Sequence, residues 1–150
     1  MHLTEIYREM IESYNARDLQ AIMEAYAEDA ELTVPGWGTL KGEAAIREFW
    51  TQERNGYPTA RVRELAAAES GSTVLQEYEL ITKHTGSVRL PTGETRPPTN
   101  RDVIIRGAAV INFEGDRIKT HRFYFDNGEL ARQLGLTLAA PIPAPKGLDE

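Results

Sequence analysis

The first fifty residues carry apolar side chains at helical spacing. Asp18 is suited to cap a second helix, and the fragment "EAAIREFW" predicts a short third helix at residues 43 to 50. Between them, "ELTVPGWGTLKG" is extended and broken by proline and glycine. The apolar stripes of the three helices are Leu3, Ile6, Tyr7, Met10, Ile11 and Tyr14; Leu19, Ile22, Met23 and Tyr26; and Ile46, Phe49 and Trp50.

From residue 59 the apolar period changes to two, which predicts four long strands at 59–69, 73–85, 101–113 and 117–125. The turn sequences "SGS" at 70–72 and "EGD" at 114–116 predict antiparallel hairpins. Gly107 lies in mid-strand, where we expect a bulge or bend. The proline-containing stretch 88–100 predicts a long loop of the kind that often rims a binding site.

Helices followed by a series of long strands indicate an α+β fold, with the N-terminal helices covering one face of an antiparallel sheet. A strongly curved sheet wrapped over helices makes a cone with an apolar interior. We expect a single domain over residues 1–137, ending in a short helix that Asp126 opens and Gly135 ends. Residues 138–150 form a proline-rich tail.

Composition narrows the possible partners. The chain of 150 residues has a formal charge of −6 and no basic stripe, which argues against nucleic acid and against an anionic membrane surface. It contains no cysteine, which excludes thiol chemistry. The N-terminal sequence lacks the features of a signal peptide, and no segment approaches a membrane span. We therefore expect a soluble, cytoplasmic protein whose partner is a small hydrophobic ligand or a second copy of the chain.

Two segments resemble a known family. "YAEDAELTVPGWGTLKGEAAIREFW" resembles the opening of the nuclear transport factor 2-like superfamily. "KHTGSVRLPTGETRPPTNRDVIIRGAAVINFEGDRIKTHRFYFDNGELARQLGL" is similar to its SnoaL-like polyketide (ester) cyclase branch. The resemblance implies a cone-shaped, cystatin-like α+β barrel, a deep and mainly apolar pocket, frequent homodimers, and catalysis without a metal or other cofactor.

The family resemblance implies no single reaction, because this fold serves several enzymes and also binding proteins. The leading hypothesis is an acid/base cyclase or isomerase acting on a hydrophobic, carbonyl-bearing molecule. A non-catalytic binding protein with the same pocket is the alternative, and an epoxide or ester hydrolase is a third possibility. The related limonene epoxide hydrolases place an aspartate two residues after the position of His121, where this chain has Phe123. That difference counts against epoxide hydrolysis by their mechanism.

Three residues are candidates for catalysis. His121 shares a strand face with Phe123 and Phe125, and a neutral histidine in the cone could act as a general base. His84 ends a strand next to the long loop, where it is either a second base or a loop anchor. Asp126 fits a helix cap better than a catalytic partner. Successive side chains along a strand point to opposite sheet faces, so Asp126 points away from His121 unless a bulge intervenes.

Aromatic residues are the candidates for substrate binding, although each could simply pack in the core. These candidates are Tyr14, Tyr26, Trp37, Trp50, Tyr78 and Phe123. No metal site is expected, because only His84 and His121 are plausible ligands. A homodimer is expected, because the outer sheet face carries an unusual amount of apolar surface. The residues concerned are Leu65, Leu75, Ile81, Ile104 and Val110.

Overall fold

The computed structural model describes residues 2–136, so the predicted proline-rich tail lies outside the described residues. The chain begins with helix α1 (Leu3–Asn15) and the short helix α2 (Leu19–Glu24). As predicted, Asp18 caps α2, since its side chain accepts a hydrogen bond from the backbone N–H of Ala21 at 3.0 Å. Helix α2 ends before Tyr26, so the prediction that Tyr26 lies on its apolar face is wrong.

Tyr26 instead opens strand β1 (Tyr26–Val34), which turns back through β2 (Gly38–Lys41). Helix α3 (Glu43–Gly56) follows and runs two turns farther than the predicted segment. The inward-facing positions of α3 continue past Trp50 to Glu53 and then to Tyr57, at spacings of three and four residues. The extra length of α3 brings Glu53 into the interior of the domain.

The four predicted long strands are present. They are β3 (Arg61–Ser70), β4 (Thr73–Lys83), β7 (Asp102–Glu114) and β8 (Arg117–Phe125). Gly71 and Gly115 adopt φ values of 57° and 62° in the two hairpin turns, a region that glycine enters without steric cost. The long loop contains a small hairpin of β5 (Val88–Arg89) and β6 (Thr95–Arg96). Helix α4 (Asn127–Gln133) ends the described chain.

The large sheet has the order β2-β1-β8-β7-β4-β3. It is antiparallel apart from β1 and β8, which pair in parallel. Register shifts occur in β3 between Glu64 and Ala66, and in the β7–β8 pairing, where Lys119 of β8 is skipped between the partners of Asn112 and Phe113. Such irregularities bend strands and help a sheet to curve. The fold is the curved α+β architecture that we predicted, with one parallel pair in addition.

The pairing register passes through Gly107 without a shift, so the bulge expected there is absent. Glycine is needed at this position for another reason. A Cβ atom at Gly107 would lie 2.6 Å from the Tyr78 hydroxyl and 2.8 Å from the backbone oxygen of Tyr124. Gly107 therefore makes room for the side chain of Tyr78 on the inner face of the sheet.

The hydrophobic core lies between the helices and the concave face of the sheet. It joins Tyr7 and Met10 of α1, Ile46 and Phe49 of α3, and Ile111 of β7. A smaller cluster packs Leu134, at the end of α4, against Val103 and Ile105 of β7. None of the helices in the described residues is both long enough and apolar enough to cross a membrane.

Candidate functional site

A cavity of about 250 Å³ opens between the helices and the concave face of the sheet. Most of its wall is apolar, and nine aromatic residues contribute to it: Tyr7, Tyr14, Trp37, Phe49, Trp50, Tyr57, Tyr78, Phe123 and Phe125. Edge-to-face contacts hold this wall in place, because Phe123 packs against Trp50 and Tyr78 with ring centroids 6.1 and 5.9 Å apart. The cavity can enclose a small hydrophobic molecule.

Five of the six predicted substrate-binding residues line this cavity, namely Tyr14, Trp37, Trp50, Tyr78 and Phe123. The sixth, Tyr26, does not. Its hydroxyl lies in the core, where it accepts a hydrogen bond from Trp50 Nε1 at 3.1 Å and contacts His121. Tyr26 therefore supports the cavity wall through Trp50.

His121 is fully buried and lies outside the cavity wall. It occupies the middle of the sheet, paired with Leu32 of β1 and Ile111 of β7. Both ring nitrogens are engaged, Nε2 with the Tyr7 hydroxyl at 2.9 Å and Nδ1 with the Tyr26 hydroxyl at 2.7 Å. Burial, together with the nearby Arg122 charge, lowers the pKa of His121 to about 3. Alternation predicted its sheet face correctly, but the ring lies too deep to reach a ligand directly.

His84 is also fully buried and is absent from the cavity wall. Its Nδ1 accepts a hydrogen bond from the backbone N–H of Thr99 at 3.2 Å and lies 3.0 Å from the Thr99 hydroxyl. Its backbone also pairs with Asn100 and Arg101. Burial lowers the pKa of His84, and the Arg96 charge lowers it further. This placement matches the loop-anchoring interpretation, in which the ring ties β4 to the end of the long loop.

Asp126 caps helix α4, since its Oδ1 accepts a hydrogen bond from the backbone N–H of Glu129 at 3.0 Å. The side chain is exposed and lies outside the cavity wall. Glu129 binds Arg132 and Gln133 instead of returning to the cap residue, so only half of the predicted capping box forms. Asp126 is therefore a helix cap in the structure and not a catalytic partner of His121.

Glu53, on the last turn of α3, is a carboxylate that was not among the predicted site residues. It lines the cavity and accepts a hydrogen bond from the Tyr14 hydroxyl. Burial raises the pKa of Glu53 to about 7, although the Tyr14 hydrogen bond and the Arg17 charge oppose this shift. At neutral pH the carboxyl group is thus present in both protonation states, as general acid/base catalysis requires.

The apolar stripe of α3 was a signal that could have identified Glu53. Phe49 and Trp50 face the interior, and Glu53 stands four and three residues after them on the same helix face. A helix that is predicted to end at Trp50 leaves this next position of the stripe out. A charged residue on an inward helical stripe is unusual enough to suggest a functional site.

Two further polar groups belong to the cavity wall. Tyr78 extends its hydroxyl over Gly107, and burial raises its pKa, so the group remains an O–H donor at neutral pH. Gln76 donates from Nε2 to Glu64 at 3.1 Å, which fixes its amide orientation because a carboxylate only accepts. The opposite atom, Gln76 Oε1, is buried with no hydrogen-bond partner in the described part of the chain.

The charged side chains of the cavity wall are Glu53 and Arg96, as far as residues 2–136 show. Over the same residues, no group of three or more histidine, aspartate or glutamate side chains is arranged to hold a metal ion. The mouth of the cavity includes Gly36 and Asn127, which line it and are also exposed to solvent. Chemistry in this cavity can therefore draw on one carboxyl group, one guanidinium group and several hydroxyl groups.

Many solved structures share this fold. A candidate polyketide cyclase from Xanthomonas campestris pv. campestris has 20% sequence identity and a TM-score of 0.76, covering 88% of this chain and 96% of that chain. A candidate SnoaL-like polyketide cyclase from Jannaschia sp. CCS1 has 13% identity and a TM-score of 0.77, covering 93% of each chain. A protein with a ketosteroid isomerase-like fold from Catenulispora acidiphila DSM 44928 has 18% identity and a TM-score of 0.72, covering 89% of this chain and 94% of that chain.

At these identities the likeness concerns the fold alone. No curated protein matches the sequence. The family model described as the SnoaL-like domain matches residues 7–121, a segment that runs from within α1 to His121 in β8. The chain therefore belongs to the SnoaL-like domain family.

Proposed function

We propose that this protein is a cofactor-independent acid/base enzyme that isomerises or cyclises a hydrophobic, carbonyl-bearing small molecule. The observation that carries the proposal is Glu53, a carboxyl group in an apolar cavity whose pKa of about 7 suits proton transfer at neutral pH. Membership of the SnoaL-like family supports the reaction class, and the aromatic wall supports a hydrophobic substrate.

The first step would be removal of a proton from the carbon next to the substrate carbonyl. Ionised Glu53 accepts that proton, and the electron pair of the C–H bond moves to form an enolate. The Tyr78 hydroxyl is a suitable donor to the enolate oxygen, because it lies in the cavity wall and remains protonated. Tyr14 keeps the Glu53 carboxyl group in place through its hydrogen bond.

Two outcomes follow from the same enolate. In an isomerase, protonated Glu53 returns its proton to a different carbon of the enolate system, so the double bond migrates. In a cyclase, the enolate carbon attacks a second carbonyl of the same molecule, and the resulting alkoxide takes up the proton. Both sequences regenerate ionised Glu53 without an external oxidant or reductant.

Deuterium exchange tests this proposal without knowledge of the natural substrate. In D₂O, the wild-type protein should accelerate exchange at the acidic carbon of 2-tetralone, a hydrophobic ketone, as followed by proton NMR. Glu53→Gln should reduce the accelerated rate by roughly two orders of magnitude, which is typical for loss of a general base. Glu43→Gln, on the exposed first turn of α3, should leave the rate unchanged. Equal rates for wild type and Glu53→Gln would contradict the assignment.

A non-catalytic binding protein is the second candidate, and the positions of the histidines favour it. Neither His84 nor His121 lines the cavity, so the two bases expected from the sequence do not converge on a ligand. A binding protein would hold 2-tetralone without accelerating exchange. Hydrolysis of an epoxide by paired carboxylates is less well supported, because within the described residues Glu53 is the single carboxylate of the wall.

A further inference from the structure

Arg96 is a cation in a largely apolar cavity wall. The residue is half-buried, and within residues 2–136 it forms no ion pair, whereas several arginines on the surface are matched to glutamates. Its charge nevertheless acts on the interior, since it lowers the pKa of His84 and moderates the raised pKa of Tyr57. A guanidinium that faces apolar walls without a counter-ion gains most from an anion that enters the cavity.

Glu53 does not serve as that counter-ion. No nitrogen of Arg96 lies within 4.0 Å of a Glu53 carboxylate oxygen, the limit for an ion pair. The groups that lower the pKa of Glu53 are Tyr14 and Arg17, which approach it from α1 and from the turn after α1. The two charges of the cavity are thus separate, which leaves Glu53 free for proton transfer and Arg96 free for a ligand.

The local structure holds Arg96 in place before any ligand arrives. Arg96 precedes two prolines, which restricts its backbone to extended conformations, and it pairs with Val88 across the small hairpin. The hairpin is fixed to α3, since the backbone N–H of Arg89 donates to Gln52 Oε1 at 2.7 Å. The preceding turn packs so closely on α3 that a Cβ atom at Gly86 would lie 1.8 Å from the Asn55 oxygen.

We propose that the ligand of this cavity is a hydrophobic carboxylic acid whose carboxylate pairs with Arg96 while its apolar body lies against the aromatic wall. Asn127 also lines the cavity, and its side-chain amide can donate a hydrogen bond to a ligand. This inference rests on the proposed function in one respect: the acid is the molecule on which Glu53 acts. Its binding can be measured without turnover.

The test uses matched pairs of ligands in isothermal titration calorimetry. Aromatic carboxylic acids of one to three rings, including naphthalene-2-carboxylate, are each compared with the corresponding neutral carboxamide. The wild-type protein should bind at least one carboxylate about tenfold or more tightly than its carboxamide, as a charge-assisted pair predicts. Arg96→Gln should abolish that preference with little change in carboxamide affinity, and Arg96→Lys should retain part of it.

Arg61→Gln is the matched control, because Arg61 is exposed and outside the cavity. This variant should keep the full preference for the carboxylate. Thermal melting of each variant verifies that it is folded. The proposal is overturned if the wild type shows no carboxylate preference throughout the series, or if folded Arg96→Gln retains it. The exchange assay on neutral 2-tetralone does not depend on Arg96, so failure of this inference is distinguishable from failure of the proposed function.

Discussion

Burial shifts the pKa values of Glu53 and His121 in opposite directions. It raises the pKa of Glu53 and lowers that of His121, because in both cases the low-dielectric interior disfavours the charged form. For Glu53 the result is a group that titrates near pH 7. For His121 the result is a ring that stays neutral, held between two tyrosine hydroxyls as part of the core.

The raised pKa of Glu53 makes the stability of the fold depend on pH. The unfolded chain releases this proton near the ordinary carboxyl value of 4.5 and the folded protein near 7, so the folded state binds more protons between these values. The contribution of Glu53 to stability is therefore complete below about pH 4.5, falls as pH rises through this window, and is lost above pH 7. One pKa unit corresponds to about 1.4 kcal/mol, and the partial exposure of Glu53 reduces the total to roughly 1–3 kcal/mol.

The measurement is urea denaturation of wild type and Glu53→Gln at pH 5 and pH 8. Because all other titrating groups are common to both proteins, the difference in their unfolding free energies isolates Glu53. We expect the variant to gain stability relative to wild type on going from pH 5 to pH 8. A difference that is independent of pH would show that the carboxyl group titrates normally.

Local sequence patterns predict some features of the site and not others. The caps Asp18 and Asp126 were predictable because a cap depends only on the next three residues. Alternation correctly placed Tyr78 and Phe123 on the inner face. It could not tell that His121 lies under the cavity, since depth depends on Tyr7 and Tyr26 approaching from other elements. Arg96 could not be assigned either, because its position depends on the long loop folding back onto α3.

Among the elements, α4 links the end of the sheet to the mouth of the cavity. Asn127 and Leu130 line the cavity, while Leu134 at its C-terminal end packs on Val103 and Ile105. The helix is short, so its stability comes from this packing and from the Asp126 cap, with little from intrinsic propensity. A change at the cap should therefore affect stability more than chemistry.

Asp126→Ala tests this division of roles. Loss of the side-chain cap costs about 1 kcal/mol, which should lower the melting temperature by a few degrees for a domain of this size. Exchange of 2-tetralone per folded molecule should stay near the wild-type rate, because Asp126 is exposed and does not line the cavity. Asp126→Asn, which preserves an accepting oxygen at the cap, should restore most of the stability. Loss of exchange at unchanged melting temperature would instead assign Asp126 a catalytic role.

Element boundaries were less predictable than element types. The strand pattern identified all four long strands, but Tyr26 continues the helical spacing of α2 although it opens β1. The parallel pairing of β1 with β8 joins segments about ninety residues apart, and no local signal specifies it. This pairing places Leu32 beside His121 and closes the sheet over the helices, so it determines which residues surround the cavity.

At the scale of the whole molecule, the two faces of the sheet differ in what covers them. The concave face is covered by the helices. The opposite face carries exposed apolar side chains on four adjacent strands, at Leu65, Leu75, Ile81, Ile104 and Tyr124. Ile81 and Ile104 are direct cross-strand partners. Next to them, Glu79 binds both Arg63 and Arg106, which forms a charged centre within the apolar surface.

We propose that this outer face joins two copies of the chain into a homodimer, because contiguous apolar surface of this kind is costly to leave in water and two identical faces can cover each other. Light scattering after gel filtration should give about twice the chain mass of 16.8 kDa at micromolar concentration. The double substitution Ile81→Glu and Ile104→Glu places like charges opposite each other at the centre of the surface and should yield the monomer mass. Lys41→Glu, on the distant edge strand β2, should leave the dimer intact. A wild-type protein that runs as a single species of 16.8 kDa would contradict the proposal, and the apolar face would then need another explanation.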